Sequence, residues 1–231
     1  MIDVRRRTDH YQHSRGWLET EWHFSFAEYR DPHNTRFGPL RVVNNDRIDG
    51  GCGFPMHSHE DMEIITWVIE GSLIHEDSTG TTEEVGRNSL QKMSAGSGIS
   101  HSEYNGSDQE QLHLIQIWIE PEQTGIKPSF EYAYFSEAEL ANQFQCVASG
   151  QNGAPVSIVQ DASMYVGIWD SGESSELELT SDRRGYGVML RGTANLAGKK
   201  LDTGDAVRVT EETTLDWNSS EPTEFLWMDL P

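Results

Sequence analysis

The chain is 231 residues long, enough for one large or two small domains, and carries 17 Lys and Arg against 38 Asp and Glu, a net charge of −21 at pH 7. That charge opposes binding to nucleic acid, which depends on neutralising phosphates, and no apolar run approaches the length of a membrane span. The charged start Met1-Ile2-Asp3-Val4-Arg5-Arg6-Arg7 lacks the apolar stretch of a secretion signal, so a cytoplasmic protein is expected.

Residues 1–37 are aromatic-rich and read as irregular: Trp17, Trp22, Phe24, Phe26 and Tyr29, then Asp31-Pro32 as a turn. The spacings of His10, His13, His23 and His33 make no ligand set, and these are read as structural or surface histidines. Strand signals begin at Leu40-Arg41-Val42-Val43. Asn44-Asn45-Asp46 and Asp49-Gly50-Gly51 read as turns.

Cys52 and Cys146 are too few for a disulfide framework, and both are expected to be reduced. The stretch that carries chemistry follows: Phe54-Pro55-Met56-His57-Ser58-His59-Glu60-Asp61-Met62-Glu63. On a strand, residues two apart share a face, so His57 and His59 can converge.

Ile64 to Ile69 reads as a buried strand ending at Glu70-Gly71, with Ser72 to Glu76 as the next and Ser78-Thr79-Gly80 closing a hairpin. Leu90 to Met93 is short and β-rich, and Ala95-Gly96-Ser97-Gly98 is a permissive turn leading into His101-Ser102-Glu103. Here His101 and Glu103 repeat the two-apart spacing. If both strands line one small barrel, three imidazoles and one carboxylate meet, a set suited to a borderline first-row divalent metal. Leu112 to Ile119 is a long strand. Ser136 and Glu139 form a capping box that predicts a short helix over 136–142, and short strands resume after the loop at 150–155.

Many short strands with turn residues between them indicate an all-β fold. Val68-Ile69-Glu70-Gly71 resembles Met189-Leu190-Arg191-Gly192, which suggests two related β-barrels in tandem. The offsets of His57, His59 and His101 land on Glu178, Thr180 and Ser219 in the second copy, and no histidine follows His113. One metal per chain is therefore expected, in the N-terminal half. His75 and His113 are assigned no ligand role.

The segment Gly51 to Gly71 resembles the first cupin motif: Gly, five residues, His57-x-His59, three residues, Glu63, then Gly71. Gly98-x-x-His101-x-x-x-Asn105 resembles the second, with Gly96 where many cupins have proline. Further likeness lies in Gly16-Trp17-Leu18, Phe24-Ser25-Phe26-Ala27, Leu40-Arg41-Val42-x-Asn44-x-Asp46 and Gln116-x-Trp118. Over about residues 13–121 the chain resembles the pirin family of the cupin superfamily.

The resemblance implies an all-β bicupin of two tandem jelly-roll-like barrels: residues 1–130 holding the metal, and residues 131–231 lacking its ligands. It implies Glu103 as the fourth ligand beside His57, His59 and His101, and a quercetin 2,3-dioxygenase-like activity with Fe(II), Mn, Co, Ni, Cu or Zn also compatible. Glu103 or Glu63 would take the proton from a flavonol 3-hydroxyl, because period-2 alternation from His59 keeps Glu63 on the ligand face. Phe54, Met56 and Met93 are candidate apolar walls. The partners implied are a small aromatic substrate and dioxygen, for a monomer with neither nucleic acid nor membrane contact. The alternative is a redox-responsive regulatory protein of the pirin type, which binds a protein partner and does not turn over flavonols.

Overall fold

The computed structural model describes every residue except Asn152. Among the described residues it is almost entirely antiparallel β, with one short α-helix, Glu137–Leu140, and one 3-10 turn, Arg7–Asp9. Ser136 caps that helix by accepting from the Glu139 amide while the Glu139 side chain reaches back, the capping box read in the sequence. No described helix is long and apolar enough to cross a membrane. The chain forms two compact units, Tyr11–Tyr134 with Val156–Gln160, and Met1–His10 with Phe135–Pro155 and Asp161–Pro231.

In the first unit a seven-stranded sheet runs in the order Ser129–Tyr134, Ser89–Ser94, Glu63–Glu70, Leu112–Ile119, Leu40–Ile48, Leu18–Trp22, Tyr11–Ser14. A four-stranded sheet, Gly53–His59, Ile99–Asn105, Ser72–Asp77 and Thr82–Gly86, belongs to the same unit. Leu18, Ile48, Val68, Leu112 and Leu114 of the larger sheet pack on Leu73 and Val85 of the smaller. Each such aliphatic side chain contributes about 1.5–3 kcal/mol when fully buried. The central strands are covered on both faces, which is why Ile64 to Ile69 and Leu112 to Ile119 read as near-continuous apolar runs.

The second unit repeats the plan. Its smaller sheet runs Ser174–Glu178, Thr214–Ser219, Thr193–Leu196, Lys199–Asp202, and its larger one Ile2–Arg5, Ala206–Thr210, Arg184–Arg191, Thr223–Leu230, Ser163–Trp169, Gln145–Ser149. The two matching segments are the same corner. Gly71 and Gly192 each join two strands with φ of +83° and +82°, a conformation that disfavours side chains. Trp169, Trp217, Phe225 and Trp227 fill this unit's core.

Three sequence expectations need correction here. Asn44-Asn45-Asp46 is not a turn but lies within the strand Leu40–Ile48. Residues 1–37 are irregular only after Trp22: Ile2–Arg5, Tyr11–Ser14 and Leu18–Trp22 are strands. The first two lie at sheet edges, where one face is solvated and little hydrophobic alternation is required. A single cut at residue 130 also misses that Ile2–Arg5 pairs with Ala206–Thr210. Partner choice between strands distant in the chain leaves no local signature.

Gly96 fixes the turn that leads into the site strand. It has φ of +46°, and a Cβ there would overlap the Ile126 carbonyl oxygen. Its own carbonyl accepts from the Asp61 amide at 2.9 Å. Gly96→Ala is expected to cost about 1–3 kcal/mol, seen as a fall of several degrees in the melting midpoint.

Candidate metal centre

Strand Ile99–Asn105 lies between Gly53–His59 and Ser72–Asp77, and its register sets the site. His101 is opposite His57 on one side and Asp77 on the other, while Glu103 is opposite Phe54 and His75. Two residues of one strand thus span three of its neighbour, so the ladder is bulged between Phe54 and His57. Pro55, which lacks an amide donor, falls in that bulge. The extra residue lets Phe54 and His57 both face inward, against simple alternation. It turns Met56 outward, 56% exposed.

The rings of His57, His59 and His101 have centroids 4.5 to 5.0 Å apart. Their ligating nitrogens lie within 4.8 Å of one another, and ligand atoms of His75, His101 and Glu103 form a second such group. Nδ1 of His57 is 2.8 Å from the Pro55 carbonyl oxygen, which can only accept. The proton therefore sits on Nδ1, and Nε2 keeps its lone pair. Nε2 of His59 and both nitrogens of His101 are buried and have no hydrogen-bond partner.

Burial, then the neighbouring imidazoles, lowers the pKa of His59 to about 4 and that of His101 to about 3. Both rings are neutral at pH 7 and present lone pairs without first losing a proton. Orphaned buried nitrogens are costly to leave unmet, and three converging imidazoles are the donor chemistry that a first-row divalent ion satisfies. The residues fit such an ion.

Glu103 is 2% exposed, and burial raises its pKa to about 7. Its Oε1 accepts from Gln91 Nε2 at 2.7 Å and its Oε2 from Gln116 Nε2 at 2.8 Å. Gln116 cannot turn over, because its own Oε1 accepts from the Trp118 indole at 3.1 Å. Gln91, Thr66, Gln116 and Asn44 lie side by side across the larger sheet. That polar row crosses the middle of otherwise apolar strands.

Beside the imidazoles is a cavity of about 270 Å³, near the small end of the ~300–1,000 Å³ range of small-molecule sites. Leu18, Trp22, Phe26, Phe54 and Trp118 form its apolar walls, with Asn44, Asp46, Glu103, His57 and His59 as polar groups. Trp118 meets His59 edge-on at 4.9 Å, and Phe26 meets both Trp22 and Trp118 edge-on. Asp46 accepts from the Thr20 hydroxyl, and burial raises its pKa to about 7.

The expected residues divide as follows. His57, His59 and His101 come together, and Glu103 joins His101 and His75. Glu63 belongs to neither group and does not line the cavity. Asp61, with φ of +47°, breaks the chain between His59 and Glu63, so alternation does not carry through. The Glu63 carboxylate instead accepts from the Val159 amide at 3.1 Å, and burial raises its pKa. Phe54 is a wall as expected; Met56 is solvent-facing, and Met93 packs with Ile64, Ala95 and Ile99. Cys52 and Cys146 are free thiols.

His113 sits apart, its Nε2 2.6 Å from Asn45 Oδ1. Missed by sequence reasoning were His75, His13 with its Glu28 partner at 3.0 Å, and the polar row. The one available signal was polar residues at the centres of buried strands.

A divalent ion at a thousandfold excess over its Kd stabilises the native state by about 4 kcal/mol. Loading the chelator-stripped protein is expected to raise its melting midpoint by several degrees, and EDTA to reverse the rise.

Residues 3–119 match the family model described as pirin, and residues 146–230 match that of the quercetinase C-terminal cupin domain. The chain is 39% identical over 232 residues to a quercetin 2,3-dioxygenase of Escherichia coli, covering 100% of this chain and 99% of that one. It is 39% identical to a putative quercetin 2,3-dioxygenase of Pseudomonas aeruginosa, covering 98% of each. Among solved structures it is similar to the E. coli bacterial pirin YhhW in complex with nickel(II), with a TM-score of 0.93, 38% identity, and 100% and 99% of the two chains covered.

Proposed function

The chain belongs to the pirin family, with two cupin domains, and from that premise we propose that it is a metal-dependent dioxygenase of flavonol-type substrates. The observation that carries this reading is the convergence of three imidazoles, two of them lining a cavity walled by aromatic rings. The relatives named quercetin 2,3-dioxygenase support it over their full length. His57, His59, His101 and Glu103 would hold one divalent ion, Fe(II) being the assignment, with Mn, Co, Ni, Cu and Zn compatible with the same donors. When bound, such an ion supplies Lewis-acid and redox chemistry toward an enolic hydroxyl and dioxygen.

The chain's own side chains do the rest. Trp22, Phe26, Phe54 and Trp118 flank a planar ligand and exclude water from it. Asn44 and Asp46 offer polar contacts to ring hydroxyls, Asn44 Oδ1 being a buried acceptor without a partner. Glu103 accepts the 3-hydroxyl proton on a carboxylate oxygen. Gln91 and Gln116 hold that carboxylate in place. Glu63, committed to the Val159 amide, has no such access. The same reading takes the chain as a cytoplasmic monomer acting on a small aromatic substrate.

The test is product analysis. Iron-loaded protein in air with quercetin should release one carbon monoxide per flavonol consumed. Flavonol that persists, or is lost without carbon monoxide, would leave the redox-responsive interaction protein as the standing alternative.

A further inference from the structure

His75 plays no part in the function just proposed, yet it is built like a ligand. It lies mid-strand in Ser72–Asp77, opposite Glu103, and is fully buried. Its Nε2 is 3.2 Å from Asp77 Oδ2. The other Asp77 oxygen accepts from the Thr79 amide at 2.8 Å, the Thr79 hydroxyl at 2.6 Å and the Thr81 amide at 3.2 Å. A carboxyl that accepts this many hydrogen bonds is ionised, so the His75 proton sits on Nε2 and Nδ1 keeps its lone pair. Nδ1 is buried and has no hydrogen-bond partner. Phe130 stacks on the ring at 4.4 Å.

This is the arrangement in which a carboxylate fixes the tautomer of a metal-ligating imidazole. Ligand atoms of His75, His101 and Glu103 lie within 4.8 Å of one another, all three residues buried. Two imidazoles and one carboxylate make a donor set for first-row divalent ions. We propose that His75, His101 and Glu103 form an inner station for a divalent transition-metal ion, alternative to the outer position facing His57 and His59 and sharing His101 and Glu103 with it. The proposal does not depend on flavonol turnover, since it concerns binding alone.

The test is Co(II) titration of the chelator-stripped, full-length His57→Ala/His59→Ala variant, which has lost the outer group. The visible cobalt absorption and the metal retained after desalting are both read. One equivalent per chain is expected to remain bound. Adding His75→Ala should weaken binding at least about 100-fold, and adding Asp77→Asn instead should weaken it about 10–100-fold with a changed spectrum. Circular dichroism checks folding, and where His75→Ala fails to fold, Asp77→Asn carries the comparison. A double variant that binds no cobalt, or whose affinity neither substitution alters, overturns the inner station.

Discussion

His101→Ala is expected to remove metal binding and flavonol turnover together, the latter by on the order of a thousandfold or more. The size follows from the several kcal/mol that a bound ion supplies to a polar transition state, at about 1.4 kcal/mol per tenfold in rate. His101 is the residue common to both ligand groups. Its loss leaves His57 and His59 as one pair, and His75 and Glu103 as another, neither a full set. The stability loss should be smaller than for an ordinary core deletion. Both His101 nitrogens are buried without partners in the metal-free chain, so their removal relieves a penalty of about 1–3 kcal/mol that partly offsets the lost packing. The stripped variant should melt close to the stripped parent and show no rise on adding metal. Melting curves with and without the ion, alongside metal counts, check both halves of this expectation.

Glu103→Gln is expected to leave the fold intact while lowering turnover by about 10²–10⁴-fold, the range for loss of a general base. The carboxylate sits between two amide donors, Gln91 and Gln116. A glutamine at 103 must turn its own NH₂ toward one of them. Gln116 is pinned by the Trp118 indole, but Gln91 is not, and its Oε1 is buried with no partner. Gln91 can therefore flip and accept from the new amide, so the network closes again. Steady-state rates and a thermal melt of Glu103→Gln separate the two effects. A variant that unfolds would show that Gln91 cannot turn, and one that keeps full rate would remove Glu103 from the proton transfer.

The imidazoles were legible in the sequence because period 2 is a strict property of strands, and His57/His59 and His101/Glu103 obey it within their own strands. The tandem plan was legible from one repeated corner, since a glycine at positive φ is demanded twice by the same geometry. What failed did so where alternation is interrupted. Glu63 was carried onto the ligand face by counting through Asp61, whose left-handed backbone resets the phase. Met56 was counted as a wall because the bulge beside Pro55 has no marker other than the proline. His75 has only Asp77 at the two-residue spacing, and cross-strand register alone places it against Glu103. The cavity's walls come from Leu18, Trp22 and Trp118, on strands of the larger sheet far apart in the chain.

The measurement that bears most directly on the account is quercetin consumption by metal-counted protein, aerobically and anaerobically, with His59→Ala alongside. The account predicts loss of the flavonol absorbance only in the presence of oxygen and only with the intact imidazole set. No turnover by protein carrying a full complement of iron would contradict it, as would an undiminished rate in His59→Ala.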